Sequence, residues 1–462
     1  MPKIAQSVEE LNSFLNGTLQ ANNGEIKILD ETKLRDSVID DLIYTAVFSE
    51  NEEVKQEAKA LIRNIANEFG AVPASIHDLY MALGRGEIRD FTTPAVNIRG
   101  MTYDVARQIF KVALKHDVGA FIFEIAKSEI GYTFQRPSEY ASAVLAAAIK
   151  EGYKGPVFIQ GDHFQFNAKK YQEDPEKERE GIKSLTKEAI EAGFYNIDID
   201  PSTLVDYSKP TLKEQQYFNY LETAYMTDFI RKIQPEEINV SIGGEIGHIG
   251  GKNSTVEEFE AFMEGYLETL KELGDEDKPG ISKISVQTGT EHGGVPLPDG
   301  TVAKVKLDFN VLRDIGKVAR EKYGLGGTVQ HGASTLPDEL FDKFPQNNCC
   351  EIHLATGFQN IMYDLIPEDF RQEIYNYIKE NFKNEWKEGW TEEQFIYKTR
   401  KKGFGPFKYQ WWTLDKEYKD KILEALYNKF EFLFEKLAVF DTKQYTDKYI
   451  KVVKLPYGYV KA

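Results

Sequence analysis

Histidine is scarce in this chain, and three histidines stand where they could bind one metal ion. Of the seven, His163, His292 and His331 follow three separate short apolar runs. Imidazole is a preferred ligand of Zn²⁺, and a catalytic zinc site uses three protein ligands and leaves one position open. A lone histidine at such a place more often hydrogen-bonds or packs in a core. Three that converge, with glycines nearby, favour a metal site.

Two carboxylates accompany these histidines. Asp162 directly precedes His163, and Glu245 ends another apolar run. A carboxylate beside a bound metal can move a proton during catalysis. Asp162 could instead cap the next helix, and Glu245 could form a purely structural salt bridge. His248, which comes shortly after Glu245, is an alternative ligand or a loop residue.

Small residues follow two of the histidines. His292 precedes Gly293, and His331 precedes Gly332 and Ser334. Without a side chain, glycine lets backbone N–H groups approach an anion, and a serine hydroxyl adds a donor. Either motif alone also fits an ordinary tight turn. Together with the histidines they predict a site for an anionic or hydroxylated ligand.

The elements that would carry these residues alternate along the chain. Amphipathic helical stretches such as MTYDVARQIFKVALKH separate eight apolar, β-branched runs. The runs cover residues 92–98, 119–125, 156–162, 194–200, 237–245, 281–287, 326–330 and 350–355. Alternating strands and helices predict a parallel sheet, and eight such units predict a closed (β/α)₈, or TIM, barrel. An open doubly wound sheet is the alternative, but the first run lacks its glycine-rich phosphate fingerprint.

Barrel enzymes carry their chemistry at the carboxyl ends of the strands. Asn97 and His353 also stand at predicted strand ends, so we expect them to face the same pocket. We predict a helical extension over 1–88, a barrel over 89–366 and a helical, aromatic-rich extension over 367–462. The aromatic residues of FGPFKYQWW would be exposed unless this last segment packed onto the barrel.

Composition excludes several classes of protein. The formal net charge of −17 opposes binding to nucleic acid or to an anionic membrane surface. The two cysteines are neighbours, which disfavours a disulfide. We find no basic and apolar leader and no run of about 18 apolar residues. We therefore expect a soluble, cytoplasmic enzyme that assembles as a homodimer or larger homo-oligomer.

An ordered set of short motifs gives the chain a family resemblance. The motifs are TPAVNIRG (93–100), QGDH (160–163), IDPS (199–202), GGEIGHIGG (243–251), GTEHGG (289–294), HGAS (331–334) and EIHLATG (351–357). In this order they resemble the class II, metal-dependent fructose- and tagatose-bisphosphate aldolases. The resemblance runs from about residue 92 to 360, and the terminal segments lie outside it.

The resemblance implies an enzyme of carbohydrate metabolism that cleaves or forms the C3–C4 bond of a ketose or ketose phosphate through an enediolate. One Zn²⁺ per chain would be held by His163, His292 and His331, with Glu245 as an alternative or neighbouring metal partner. Other divalent transition metals suit the same ligands. Asp162 would move the proton of the C4 hydroxyl. The expected substrate-binding residues are Asn97, Gly293, Gly332, Ser334, His353 and Thr356.

Two departures from the family pattern suggest a different outcome of the same chemistry. Lys252 and Asn253 stand where family members carry acidic residues that protonate the enediolate, and His353 and Ala355 replace residues that line the phosphate-bearing half of the substrate. If protonation fails, the aldehyde can add back through its other face. The alternative function is therefore C4 epimerisation of a ketohexose, between fructose and tagatose.

Two further classes of protein are alternatives. A non-catalytic sugar-phosphate-binding protein would keep the barrel and its glycines without needing Asp162. A barrel metallohydrolase typically has paired ligands such as HxH on its first strand, and TPAVNIRG has none. Binding of ligand without metal would support the first of these classes.

Overall fold

The structure, a computed structural model, describes residues 1–22, 25–247, 251–291 and 293–461. Its N-terminal segment combines helices with short strands. In chain order these are α1 (Val8–Leu15), β1 (Leu19–Asn22), β2 (Glu25–Ile28), α2 (Glu31–Lys33), a π-helical turn (Leu34–Val38), α3 (Ile39–Phe48), α4 (Glu52–Phe69), β3 (Ala71–Ala74) and α5 (His77–Gly84). β1 and β2 form an antiparallel hairpin.

Eight parallel strands then close into a barrel. They are β4 (Thr93–Asn97), β5 (Ile122–Ala126), β6 (Gly155–Gln165), β7 (Asn196–Asp200), β8 (Ser241–Glu245), β9 (Lys283–Ser285), β10 (Thr328–Gln330) and β11 (Cys349–Leu354). Each strand pairs with the next, and β11 pairs with β4. Each predicted run overlaps one of these strands, so the predicted TIM barrel is confirmed. β3 adds to the sheet by pairing with the start of β6.

Helices surround the barrel between its strands. They are α6 (Thr102–Lys115), α7 (Lys127–Tyr132), α8 (Pro137–Glu151), α9 (Ala168–Glu173), α10 (Pro175–Glu191), α11 (Leu212–Gln215), α12 (Tyr217–Ile233), α13 (Val256–Glu272), α14 (Phe309–Tyr323) and α15 (Thr356–Leu365). Capping side chains and glycines determine where several of these helices begin and end. For example, the Thr255 side chain accepts from the Glu258 backbone N–H at the start of α13, and Gly152 ends α8 with a left-handed φ of 81°.

The C-terminal segment packs on the barrel through its aromatic residues. Its helices are α16 (Glu368–Asn381), α17 (Glu392–Thr399), α18 (Lys408–Trp412), α19 (Lys416–Lys436) and α20 (Lys443–Tyr449). Buried Trp411 packs against Tyr363 of α15, with ring centroids 5.2 Å apart. Trp412 meets Tyr44 of α3 at 5.4 Å. This segment therefore contacts both the barrel and the N-terminal helices.

Among the residues that the structure describes, no helix is both long and apolar enough to cross a membrane. The division at 88/89 and 366/367 remains our proposal.

Candidate active site

The predicted site residues that the structure describes meet at one end of the barrel. A cavity of about 470 Å³ opens at the carboxyl ends of the strands. Its lining includes Asn97, Asp162, His163, Gly293, His331, Gly332, Ser334, His353 and Thr356. Glu245 lies beside His163 rather than on the cavity wall. His248 and His292 fall outside the described residues.

An irregularity in β6 places His163. The pairing of β6 with β7 shifts register between Gly161 and Phe164, and His163 has a left-handed φ of 42°. A bulge of this kind turns a side chain away from the regular strand direction, and a non-glycine residue in this region carries backbone strain. The strain falls on a residue that the resemblance assigns to the metal.

Carboxylates fix the ring of His163. Its Nδ1 lies 2.8 Å from Asp200 Oδ2 and 3.4 Å from Glu245 Oε2. Burial alone would lower the pKa of His163, but the charges of Asp162 and Glu245 and the Asp200 hydrogen bond raise it well above its usual value. Burial and the charge of Asp200 raise the pKa of Glu245 to about 8. A carboxylate that binds the far ring nitrogen is a common support for a metal-binding histidine.

His331 completes a cluster of imidazole rings. Its ring centroid lies 4.2 Å from that of His163 and 4.1 Å from that of His353. Its Nε2 lies 2.9 Å from the Ser285 hydroxyl oxygen. His331, just after the end of β10, therefore lies directly beside His163 of β6.

Asp162 is buried and held from two sides. Its Oδ2 accepts a hydrogen bond from Asn97 Nδ2 at 3.0 Å, and its Oδ1 lies 3.1 Å from His353 Nδ1. Burial would raise the pKa of Asp162, but the positive charges of His163 and His353 lower it well below its usual value. Asp162 is therefore a carboxylate held in a fixed orientation at the cavity.

The barrel interior below these residues holds a charged network that sequence reasoning largely missed. Lys283 Nζ lies 2.6 Å from Glu351 Oε1 and 2.9 Å from Asp198 Oδ1, and Glu351 Oε1 lies 2.6 Å from His353 Nε2. Glu124 Oε1 is 3.1 Å from His353 Nδ1. A charged residue inside a buried apolar strand, as in the NIDID run of β7, is the sequence feature that indicates such a network.

One wall of the cavity is positively charged. Arg99 donates to Glu129 Oε2 at 2.6 Å and to Gln359 Oε1 at 2.8 Å. Lys401, from the 3₁₀ turn after α17, lines the same wall and forms no salt bridge with any residue that the structure describes. Burial and the charge of Arg99 lower the pKa of Lys401 to about 8. Sequence reasoning missed Lys401, because it belongs to no motif and lies beyond the barrel strands.

The glycine motifs bring backbone close to the cavity. Gly332 has a φ of 64°, and a Cβ there would lie 2.9 Å from the Glu291 carbonyl oxygen. Ser334 Oγ accepts from the Gly357 N–H at 3.0 Å, so the HGAS turn contacts the first turn of α15. Because α15 begins at Thr356 on the cavity wall, its N-terminal N–H groups favour an anion there.

The donor atoms suit a divalent metal ion. One ligand atom from each of Asp162, His163 and His331 lies within 4.8 Å of the others, and the same holds for His163, Asp200 and Glu245. Imidazole nitrogen and carboxylate oxygen are both zinc ligands.

A known protein family matches the chain. Residues 81–403 match the family model of class II fructose-bisphosphate aldolase. The chain belongs to this family, which is a family of enzymes and is generally metal dependent. No curated protein matches the chain.

The chain is also similar to several solved structures. A probable tagatose 6-phosphate kinase from Sinorhizobium meliloti matches with a TM-score of 0.52 and 13% identity, over 77% of this chain and 98% of that one. Fructose-bisphosphate aldolase from Campylobacter jejuni matches with a TM-score of 0.44 and 18% identity, over 79% and 92%. The fructuronate-tagaturonate epimerase of Cohnella laeviribosi matches with a TM-score of 0.48 and 11% identity, over 96% and 90%.

Proposed function

We propose that this protein is a zinc-dependent aldolase-type enzyme that cleaves and forms the C3–C4 bond of a ketose. The observation that carries the proposal is that buried Asp162 faces the cavity beside His163 and His331, whose ring centroids lie 4.2 Å apart. His292 would supply the third imidazole, as the family resemblance implies. When bound, Zn²⁺ supplies a Lewis acid that polarises the ketose carbonyl.

The chain's own residues would handle the proton. Asp162 takes the proton of the C4 hydroxyl as the C3–C4 bond breaks, because its carboxylate faces the cavity. Asn97 and His353 contact one carboxylate oxygen each and so keep the group oriented. Asp200 and Glu245 hold the ring of His163.

The positive wall favours a ketose with an anionic group. Arg99 is fixed by Glu129, whereas Lys401 lacks a salt-bridge partner within the described residues. A phosphate or carboxylate on the substrate would provide that partner, since charge-assisted hydrogen bonds are the stronger ones. The N-terminus of α15 and Ser334 offer further donors at the cavity.

The decisive experiment compares Asp162→Asn with the wild type on ketose bisphosphates, ketose monophosphates and ketouronates. We expect kcat to fall by about 10²- to 10⁴-fold, the usual effect of removing a general base, with zinc content unchanged. Asp277→Asn, on an exposed loop, is the matched control and should keep full activity. Equal activity of Asp162→Asn and the wild type, or activity indifferent to chelators, would rule out this mechanism.

A second outcome, C4 epimerisation, is favoured by the position of Lys252. Its ammonium pairs with Glu258 of α13 and lies 5.0 Å from the centre of the Tyr207 ring. No residue of 251–255, within the described chain, lines the cavity. The acid that the family places in this loop to protonate the enediolate therefore has no counterpart here. Without that proton the aldehyde can rotate and add back.

Product analysis separates the two outcomes. Lyase activity releases a three-carbon product, which a coupled dehydrogenase assay detects as it forms. Epimerase activity yields the C4 epimer of the substrate, which chromatography or NMR detects, with no free triose. Rapid triose release at every substrate concentration would exclude the epimerase.

A further inference from the structure

Helix α17, outside the barrel, forms hydrogen bonds with the loop that follows His292 in the sequence. Four side chains at the start and along α17 donate hydrogen bonds to carbonyl oxygens of residues 293–298. The pairs are Thr391 Oγ1 to Pro298 at 2.8 Å, Gln394 Nε2 to Pro296 at 3.0 Å, Tyr397 OH to Gly293 at 2.8 Å and Lys398 Nζ to Gly294 at 2.7 Å.

These four residues form one face of the helix. Side chains three or four positions apart lie above one another on a helix surface, and residues 391, 394, 397 and 398 follow this spacing. The loop they contact has little regular structure of its own, with one isolated bridge between Pro296 and Val302. The helix therefore contributes anchors that the loop's own backbone pairing lacks.

The loop that α17 contacts is part of the cavity. Gly293 lines the cavity and comes directly after His292 in the sequence. Gly293 and Gly294 have left-handed φ values of 70° and 71°, which glycine adopts without steric cost. A Cβ at Gly293 would lie 3.1 Å from Thr356 Oγ1. Gly293 is thus held between Thr356 on the cavity side and Tyr397 on the other.

We infer that α17 is a clamp that positions the metal-binding loop, and that Tyr397 and Lys398 are positioning residues for zinc. The inference rests on the proposed metal role of His292. Both residues act through the backbone of Gly293 and Gly294, and neither is a ligand. Two residues beyond α17, the same segment delivers Lys401 to the cavity wall, so the C-terminal segment belongs to the active site.

The test uses the full-length Tyr397→Phe/Lys398→Met variant, named here the clamp variant. The matched control is Tyr377→Phe/Lys383→Met, which also removes one tyrosine hydroxyl and one lysine ammonium from the C-terminal segment. Neither of these two groups forms a hydrogen bond among the described residues. Zinc affinity is measured by competition with a chromophoric chelator on metal-free protein. We expect the clamp variant to bind zinc about 10- to 100-fold more weakly, as when outer partners of metal ligands are removed, and the control to match the wild type.

Hydrogen exchange of the 293–305 loop, measured without metal, gives a second readout. We expect faster exchange there in the clamp variant, with unchanged exchange in the barrel strands. Equal loop exchange in the clamp variant and the wild type would overturn the clamp. Faster exchange with unchanged zinc affinity would overturn its link to the metal. A wild-type chain that binds no zinc would overturn the proposed function, and the exchange result would still decide whether the clamp exists.

Discussion

Two lysines, Lys283 in the barrel interior and Lys401 on the cavity wall, differ in the charged groups that surround them. Lys283 Nζ has Gln160, Glu351 and Asp198 within 2.9 Å, and although burial opposes its charge, Asp198 and Glu351 raise its pKa. Lys401 forms no salt bridge with any described residue, and burial and Arg99 lower its pKa to about 8. A buried cation that forms salt bridges within the protein stabilises the fold. A cation that forms no salt bridge within the protein is available to bind a ligand.

The largest expected effect comes from Lys283→Met. This change leaves Glu351 and Asp198 charged and buried without their ammonium partner, which typically costs about 3–5 kcal/mol. Urea denaturation should show this loss in the free energy of unfolding. The double variant Lys283→Met/Asp198→Asn removes one orphaned charge and should recover part of it. A loss below about 1 kcal/mol, the value of an exposed pair, would contradict a structural role for this network.

Lys401→Met should affect binding instead of folding. The loss of a charge-assisted hydrogen bond, about 1.5–3 kcal/mol, corresponds to a rise in KM of about 10- to 100-fold for an anionic ketose. Steady-state kinetics should show kcat nearly unchanged, and Lys401→Arg should retain most of the affinity. The free energy of unfolding should not fall, because burial in the folded protein disfavours this charge. An unchanged KM would mean that the substrate's anion binds elsewhere.

The pH dependence of KM follows from the same lysine. Because Lys401 has a pKa of about 8, it is charged below that pH and loses its charge as pH rises through it. The KM of an anionic ketose should therefore increase above pH 8. At about pH 9 only a tenth of the lysine remains charged. This rise should be absent in Lys401→Met, whose KM is already high at pH 7. A wild-type KM that stays flat across this range would contradict the assignment.

The smallest effect is expected with a neutral ketohexose. Such a substrate offers no anion to Lys401, so Lys401→Met should leave its KM unchanged at pH 7. Kinetics with fructose and with a fructose phosphate, on the same two proteins, make the comparison. A similar loss for both substrates would show that Lys401 shapes the cavity without recognising charge.

The local pattern of apolar and polar residues was enough to predict the barrel strands and several site residues. The eight strands follow from apolar runs, because a strand buried on both faces is hydrophobic along its length. The placement of Asp162, His163 and His331 at strand ends followed directly, since parallel strands in a barrel end at one rim. The small residues after His331 predict Gly332 and Ser334 near the ligand, and the family resemblance implies Thr356. All three line the cavity. The hairpin β1–β2 and strand β3 in the N-terminal segment are too short to stand out from the helical pattern around them.

What the sequence by itself determined is the barrel, the rim on which the chemistry lies, and the family. What only the tertiary structure decided is which charged groups meet. Lys283 and Glu351 are 68 residues apart in the chain, and Lys401 reaches the cavity from beyond the barrel. Strand order follows from hydrophobic periodicity, which is a local property. Ion pairing and the clamp on residues 293–298 depend on distances that exist only once the barrel has closed and α17 has packed against it.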